Sequence, residues 1–189
     1  MRSILIAALL LAGCASRPAA APQDAFFDRL AALCGKAFAG RVETDDPADA
    51  AFAGQPLVMH VRSCTADELR IPFHVGDDRS RTWVVSRTAA GLRLKHDHRH
   101  RDGSEDALTQ YGGDTATEGS AARQAFPADA FSKQLFEREG RQASTANVWA
   151  VEIEPGTAFI YELARPGRLF RVRFDLSRTV PLPPPSWGG

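Results

Sequence analysis

The chain of 189 residues has no excess of charge of either sign, because 23 Lys and Arg are balanced by 23 Asp and Glu. A domain that binds nucleic acid usually carries a basic footprint, so we expect no nucleic-acid partner. Long apolar runs are also scarce. The run at residues 4–11 is too short to span a bilayer as a mature helix, and no second run could do so. The remaining length corresponds to one domain that can bury its own core.

Sequence motifs of catalysis are absent as well. Gly112-Gly113-Asp114 is a lone fragment and does not make a glycine loop that cradles phosphate. His96 and Asp97 are adjacent, and adjacent side chains of a strand point to opposite faces, so the two do not form a dyad. Four serines could serve as nucleophiles by residue type, but none stands in a nucleophile-elbow pattern: Ser63, Ser86, Ser104 and Ser120. The sequence therefore gives catalysis little support.

Cysteine is rare, with three in the chain. Cys14 belongs to the N-terminal motif described next, which leaves Cys34 and Cys64. In an oxidising compartment an even pair predicts a disulfide. A bridge over about 30 residues would contribute on the order of 3–4 kcal/mol in the chain-entropy model. The alternative is two buried free thiols, and a reactive thiol is disfavoured because neither cysteine has electropositive neighbours.

The N-terminus has the three segments of a secretory signal. A short basic start, Met1-Arg2-Ser3, precedes the apolar run, which leads into Leu11-Ala12-Gly13-Cys14. These four residues resemble the lipobox of bacterial lipoproteins, in which the peptidase cuts before the cysteine and the thiol carries a diacylglycerol. The alternative is an ordinary signal peptide followed by a chance cysteine.

The lipobox resemblance implies a domain organisation and a location. Residues 1–13 would be a signal peptide, and residues 14–23, rich in Ala and Pro, a tether lipidated at Cys14. One domain would follow over residues 24–178, with a Pro-rich tail at residues 179–189. In that family the residue after the lipidated cysteine directs sorting, and Ala15 at this position resembles the outer-membrane signal. Two or three acyl chains anchor a protein stably. We therefore expect an outer-membrane protein, with its domain facing the periplasm or the surface.

Alternation of apolar and polar residues predicts strands through most of the domain. The predicted strands cover residues 57–64, 69–75, 81–88, 92–100, 147–154, 157–165 and 168–176. Helical spacing predicts one helix that starts at an Asp24 cap and includes Phe38, and another at residues 127–136. Pro72 predicts an edge strand or a bulge. Residues 112–119, rich in Gly and Thr, predict a loop, and the prolines after Val180 predict an extended tail without a core face.

Two groups of antiparallel strands predict a mostly β domain, either an up-and-down barrel or a strongly curled sheet. An N-terminal helix comes first, and a second helix lies between the strand groups. The sheet region starts at Gly35-Lys36-Ala37-Phe38 and ends on an arginine-bearing strand. This layout resembles the calycin group, the lipocalins and their relatives, and implies a calycin-like barrel. The chain is also similar to uncharacterised bacterial envelope lipoproteins with a Lys-His-Asp-His-Arg-His segment, which imply no activity.

Three histidines fall on one face of the predicted strand at residues 92–100. Alternation places His96, His98 and His100 on the apolar face and the charged residues between them on the solvent face. Two of these imidazoles could share a metal ion with a ligand from an adjacent strand. Zn²⁺ or Cu²⁺ would suit such ligands, and haem could take one inward histidine as its axial ligand. The alternative is the solvated end of a strand, which titrates near pH 6.5.

The candidates for that further metal ligand are His60, His74 and Asp106. His60 and His74 lie in the two strands predicted before residue 76. Asp106 follows the histidine strand after a turn. Each brings a side chain that binds zinc in proteins, so each is a reasonable third ligand if the fold turns it toward His96.

Aromatic residues are concentrated on the predicted inner face of the sheet. If the sheet closes, they form a concave apolar lining that could hold a lipid or a porphyrin. The residues are Trp83, Trp149, Phe159, Tyr161, Phe170 and Phe174. The alternative is that these rings simply fill a small barrel.

These observations predict a lipid-anchored envelope protein that holds a small apolar or metal-containing ligand in a concave sheet. A second hypothesis is a structural or assembly lipoprotein that binds another envelope protein through its outer surface. A third is a metal-dependent hydrolase, which needs inward histidines and a carboxylate around an open coordination position.

Overall fold

The computed structural model describes residues 21–189. The predicted signal peptide, the lipidation at Cys14 and residues 14–20 of the predicted tether lie outside the described residues. Helix α1 (Pro22–Ala31) begins inside the predicted tether, so Pro22 and Gln23 are helical. No helix within residues 21–189 is both long enough and apolar enough to cross a bilayer.

Helix α1 buries Phe26, Phe27 and Leu30 and ends at Ala31. The predicted helix was too long at this end, because Gly35 adopts a left-handed backbone (φ 76°) and turns the chain into the first strand. Phe38 lies in that strand and still points into the core, where it is 1% exposed. Phe38 is therefore a core residue, as the helical spacing predicted, but it reaches the core from a strand.

Residues 21–189 form eleven strands and two α-helices. The strands are β1 (Ala37–Val42), β2 (Leu57–His60), β3 (Ser63–Cys64), β4 (Glu68–Val75), β5 (Asp78–Thr88), β6 (Gly91–His98), β7 (Tyr111–Asp114), β8 (Arg123–Pro127), β9 (Val148–Glu154), β10 (Ala158–Arg165) and β11 (Arg168–Asp175). Helix α2 (Ala130–Arg138) lies between β8 and β9, and short 3₁₀ helices occupy Pro47–Asp49 and Gln142–Ala146.

The strands form one antiparallel sheet in the order β7-β6-β5-β4-β2-β1-β11-β10-β9-β8, with β3 paired to β4. The first strand β1 pairs with both β2 and the last strand β11, which leaves β7 and β8 as the two edges. The sheet curls until these edges meet, and the result is a nearly closed, calycin-like barrel. The predicted mostly β, up-and-down fold is confirmed, with one helix before the strands and one between the strand groups.

Strand β7 makes close backbone contacts on both sides, with β6 and across the seam with β8, and these contacts require glycine. A Cβ on Gly112 would lie 1.9 Å from the Leu94 carbonyl oxygen, and a Cβ on Gly113 would lie 1.8 Å from that of Pro127. The Ser132 hydroxyl, at the start of α2, donates to the Gly112 carbonyl (2.8 Å) and accepts from the Gly112 amide (2.7 Å). The loop predicted at residues 112–119 is present only from residue 115 onward. The prediction was wrong for residues 112–114, because glycine weakens a strand prediction yet is needed for this close approach.

The alternation predicted for the other strands is confirmed. The inner face of β9 to β11 forms a buried core with Trp149, Val151, Ile153, Phe159, Tyr161, Phe170, Val172 and Phe174. Pro72 faces outward on β4, which lies inside the sheet and not at an edge. A register irregularity follows directly, between Phe73 and Val75. The bulge that Pro72 predicted is therefore present, and the edge position was wrong.

The cysteine pair forms the predicted disulfide between Cys34 and Cys64. It joins the turn after α1 to β3, next to a hydrogen bond from the Gly35 amide to the Val61 carbonyl (2.8 Å). Helix α1 contacts β8 and β9 and also reaches the far end of β5, where Arg87 binds Asp28 at 2.8 Å. The helix and the disulfide therefore secure one end of the barrel.

The Pro-rich tail packs along the outside of the barrel. We call residues 180–189 the strap. The Val180 amide donates to the Ala37 carbonyl (2.9 Å), and the Trp187 amide donates to the Arg79 carbonyl (3.0 Å). The strap therefore crosses the outer face from β1 to β5. Asp97, predicted to be in solvent, lies on this outer face but is only 5% exposed, because Arg70 and Arg99 bind it and the end of the strap packs beside it.

Candidate ligand-binding cavity

A cavity of about 320 Å³ opens at the end of the barrel away from α1. Its walls come from the start of β5 and the end of β6, whereas α1 contacts the other end of β5. The cavity is lined by Ala48, Asp49, Phe52, Phe73, Arg81, Trp83, His96, His98, Tyr111, Tyr161, Leu163, Arg165, Arg168 and Phe170. Residues of the β1–β2 connection, around the 3₁₀ helix Pro47–Asp49, form part of the mouth.

Stacked aromatic rings form the floor of this cavity. The Trp83 ring stacks on Tyr161, with centroids 4.5 Å apart, and on Phe73 at 4.8 Å. Phe52, from the β1–β2 connection, packs against Phe170 at 4.8 Å and closes one side. Stacked rings present flat apolar surfaces, which favour a ligand with a flat apolar part.

The six aromatic residues singled out in the sequence divide into two groups. Trp83, Tyr161 and Phe170 line the cavity. The other three are fully buried. Trp149 packs behind His96 and Tyr111 in the cavity wall, and Phe159 and Phe174 fill the barrel below the floor. Both alternatives drawn from the sequence therefore apply. One part of the interior is a lined cavity, and the rest is filled by aromatic rings.

His96 is buried in the cavity wall, and both of its ring nitrogens are engaged. Nδ1 lies 3.1 Å from the Tyr111 carbonyl oxygen, which can only accept, so Nδ1 carries the proton. Nε2 therefore accepts from the Tyr161 hydroxyl at 2.7 Å. Burial, and to a lesser extent the neighbouring His98, lowers the pKa of His96 to about 3, so the imidazole is neutral at physiological pH. Burial likewise raises the pKa of Tyr161 well above its ordinary value.

His98 lies nearer the mouth, directly across from Arg81 on β5. Its Nε2 is 3.2 Å from the Tyr111 hydroxyl. Burial first, and then the Arg81 charge, lower the pKa of His98 to about 4. Burial also raises the pKa of Tyr111 to about 12, so at neutral pH the Tyr111 hydroxyl donates to a neutral His98.

The other candidate histidines do not join this pair. His100 follows the end of β6 and is exposed, with its Nδ1 3.9 Å from Asp106 Oδ2. His60 and His74 lie on the outer face of the sheet, because their neighbours Met59 and Phe73 point inward in a paired register. Within residues 21–189 no group of three or more His, Cys, Asp or Glu side chains is placed to hold a metal ion.

Three arginines at the mouth were not singled out in the sequence. Arg168 binds Asp49 (Nη1–Oδ2 3.0 Å) and Asp46 (3.2 Å). Arg81 binds Asp78 at 2.5 Å, and Arg165 binds the Asn147 side-chain oxygen at 3.1 Å.

The alternation of inner and outer positions contained the signal for these arginines. Arg81 is two residues before Trp83, Arg165 two after Leu163, and Arg168 two before Phe170. Each therefore continues an inward face to the end of its strand.

Comparison with known proteins identifies no relative, because no protein-family model, curated protein sequence or solved structure matches the chain. The geometry of the cavity and the N-terminal motif therefore remain as the indications of function.

Proposed function

We propose that this protein binds a small ligand with a flat apolar part inside the barrel, as a lipid-anchored protein of the cell envelope. The cavity itself is the observation that supports this proposal. Ligand sites are usually concave, mostly apolar and supplied with a few placed polar groups. The floor of Trp83, Phe73 and Tyr161 and the polar groups of the mouth have this composition.

The cavity volume restricts the ligand. About 320 Å³ is the space of roughly ten water molecules at about 30 Å³ each. That is the small end of the range of ligand pockets, about 300–1,000 Å³. A single ring or a short chain fits, and a porphyrin or a two-chain lipid is too large for this volume. His96 also has no ring nitrogen to offer an iron atom, since Tyr111 and Tyr161 occupy both.

The outer-surface hypothesis has no comparable support. Among the large apolar side chains that are exposed within residues 21–189, Val148 and Leu169 lie on either side of Ala164 on the outer face of β9–β11, which is a small patch beside the enclosed cavity. The others are Phe131 on α2 and Leu182 on the strap. We therefore retain ligand binding as the single proposed function.

A variant that fills the cavity tests the binding function. Leu163 lines the cavity, whereas Leu169 is exposed. We expect the intact chain, purified in detergent, to gain thermal stability with some members of a panel of small aromatic compounds. Leu163→Trp should abolish these shifts, and Leu169→Trp should keep them. Equal shifts in both variants, or none in the wild-type protein, would contradict the proposal.

The membrane anchor is tested separately. Cys14→Ser removes the thiol that the lipobox resemblance assigns to the lipid, and we expect the variant to leave the membrane fraction. Metabolic labelling with a palmitate analogue should mark the wild-type chain and not the variant. Labelling of both chains would show that the lipid is attached to a residue other than Cys14.

A further inference from the structure

We propose that the ligand carries a carboxylate, held at the cavity mouth by Arg165 and Arg81. This inference depends on the proposed function and names the chemical class of the ligand. The ligand would place its flat apolar part on the Trp83–Tyr161 floor and its carboxylate toward the arginines.

Arg168 is already satisfied by the protein. Asp49 accepts from both of its terminal nitrogens, and Asp46 accepts from one. Asp49 is 2% exposed, so this is a buried ion pair that ties the β1–β2 connection to the start of β11. Removing Arg168 would leave a buried carboxylate without a partner, so its role is structural.

Arg165 has no such partner. It lies directly across from Arg168 in the β10–β11 hairpin, so two guanidinium groups are cross-strand neighbours. Like charges in that position repel each other. The nearby carboxylates of Asp46 and Asp49 bind Arg168 and not Arg165. Within residues 21–189, Arg165 has no carboxylate within 4 Å, and its one side-chain hydrogen bond is to the neutral amide of Asn147. Most of its five N–H donors therefore remain open toward the mouth.

Arg81 also retains unpaired N–H donors, and its positive charge is only partly compensated. Only one of its terminal nitrogens binds Asp78, which is shared with the Ser80 amide. The Arg81 charge still lowers the pKa of His98 and opposes the rise in the pKa values of Tyr111 and Tyr161. Its positive potential therefore extends into the cavity.

The open groups at the mouth are thus mainly donors, and the nearby carboxylates are already occupied. A ligand that suits this mouth presents acceptors, and a charged acceptor makes the stronger bonds. A planar carboxylate matches the fork of a guanidinium. Because Arg165 is the one cation of the three without a carboxylate partner in the described chain, a single negative charge is the better match than a dianion.

Matched ligands test the charge of the ligand. We expect benzoate to bind the intact chain at least about tenfold more tightly than benzyl alcohol, since charge-assisted hydrogen bonds exceed one factor of ten in affinity. Titration calorimetry in detergent gives both constants. Equal affinities would overturn the carboxylate inference and leave the proposed function standing. Tighter binding of phenyl phosphate would also overturn it, in favour of a phosphate.

Two variants test the assignment to Arg165. Arg165→Gln should remove the preference for benzoate and leave the affinity for benzyl alcohol unchanged. Asn147→Asp keeps the shape of the site but gives Arg165 a carboxylate partner, so it should weaken benzoate binding in the same way even if Arg165→Gln folds poorly. Arg41→Gln, at a 71% exposed side chain, is the control. A preference that survives both mouth variants contradicts the assignment.

The two proposals fail in different ways. If neither benzoate nor benzyl alcohol binds, and Leu163→Trp changes no shift in the aromatic panel, the binding function itself is wrong. If both bind alike and Leu163→Trp abolishes both, the cavity binds ligands but does not select an anion.

Discussion

His96 accepts a hydrogen bond of 2.7 Å from the Tyr161 hydroxyl while its other ring nitrogen donates to the Tyr111 carbonyl. One buried imidazole therefore links β6 with β10, which lie on different walls of the barrel, and with β7 at the seam. The hydrogen bond holds the Tyr161 ring in place, and that ring is part of the cavity floor. It also explains why an inward histidine is tolerated in an apolar interior, since a buried polar group is costly only when it lacks partners.

Tyr161→Phe should destabilise the protein by about 1–3 kcal/mol, because it leaves the buried Nε2 of His96 without a partner. Tyr111→Phe is the matched control. It removes a longer hydrogen bond (3.2 Å) to a less buried histidine, so we expect a smaller loss, about 0.5–1.5 kcal/mol. Urea unfolding measures both. An equal loss in the two variants would show that the hydrogen bond to His96 contributes no more to stability than the hydrogen bond to His98.

Acid should destabilise the fold well above the range in which carboxylates protonate. The folded pKa values of His96, His98 and His74 lie at about 3, 4 and 4, below the value of about 6.5 in an unfolded chain. Unfolding therefore takes up protons below pH 6.5, and the stability of the neutral histidines is lost as the pH falls from there toward 4. Each proton changes the free energy of unfolding by about 1.4 kcal/mol per pH unit.

Unfolding free energies measured in urea between pH 8 and pH 4.5 test this sign. We expect a flat region above pH 7 and a steep fall below pH 6. His98→Gln should reduce the slope by about one proton. The carboxylates with lowered pKa values contribute only below about pH 5, so they leave the slope between pH 6 and pH 5 to the histidines: Asp78, Asp102, Asp114, Asp129 and Asp175. A slope near zero down to pH 4.5 would contradict the prediction.

Gly113→Ala should open the seam of the barrel. Its Cβ would collide with the Pro127 carbonyl oxygen, and backbone on both sides must then move. Gly156→Ala is the control, because its Cβ meets nothing within 4 Å and only its left-handed backbone is strained (φ 70°). We expect a cost of about 1 kcal/mol at Gly156 and more at Gly113. Hydrogen exchange of the β7 amides should rise in Gly113→Ala alone.

Removing the strap should change two histidines on the outer face. His74 is 4% exposed and lines one groove together with residues 183 and 184 of the strap. Burial, and then the Arg79 charge, lower its pKa to about 4. A chain that ends at residue 179 exposes this imidazole, so its pKa should rise toward 6.5, and the lowered pKa of His60 should shift the same way. NMR titration measures both values. His96, in the interior, is the internal control and should not move.

The disulfide should contribute on the order of 3–4 kcal/mol to the free energy of unfolding. The Cys34→Ala/Cys64→Ala double variant removes the bridge without leaving a free thiol. Its loss in urea should match the loss that reductant causes in the wild-type protein. A double variant as stable as the oxidised protein would show that the bridge adds no stability. Intact masses before and after reduction should differ by two hydrogens.

The sheet could be predicted because alternation repeats along β5, β6, β9, β10 and β11 and because glycine turns separate these strands. The seam could not, since Gly112 and Gly113 read as a loop until the Leu94 and Pro127 carbonyls are known to lie against them. Short strands carry too few residues to show a period.

For the site, the sequence indicated which faces were inward but not how the strands register. His96 and His98 were placed together because they share one strand. His60 and His74 alternate with the inward Met59 and Phe73 of their own strands, so they face outward, and this alternation could have excluded them as partners of His96. The arginines of the mouth were missed because a charged residue at a strand end is usually solvated. Only the closed barrel shows that these ends converge on a cavity.

The pairing of β1 with β11 has a consequence for the order of folding. A chain is made from its N-terminus, and β1 obtains its second neighbour only after residues 168–175 exist. Until then β1 is an open edge, and the cavity lacks the walls that Tyr161, Arg165 and Phe170 provide. An open edge of a partly made sheet is exposed to wrong pairing. Any ligand of the cavity can therefore bind only after the last strand is in place, and a chain truncated before it has neither a closed barrel nor a site.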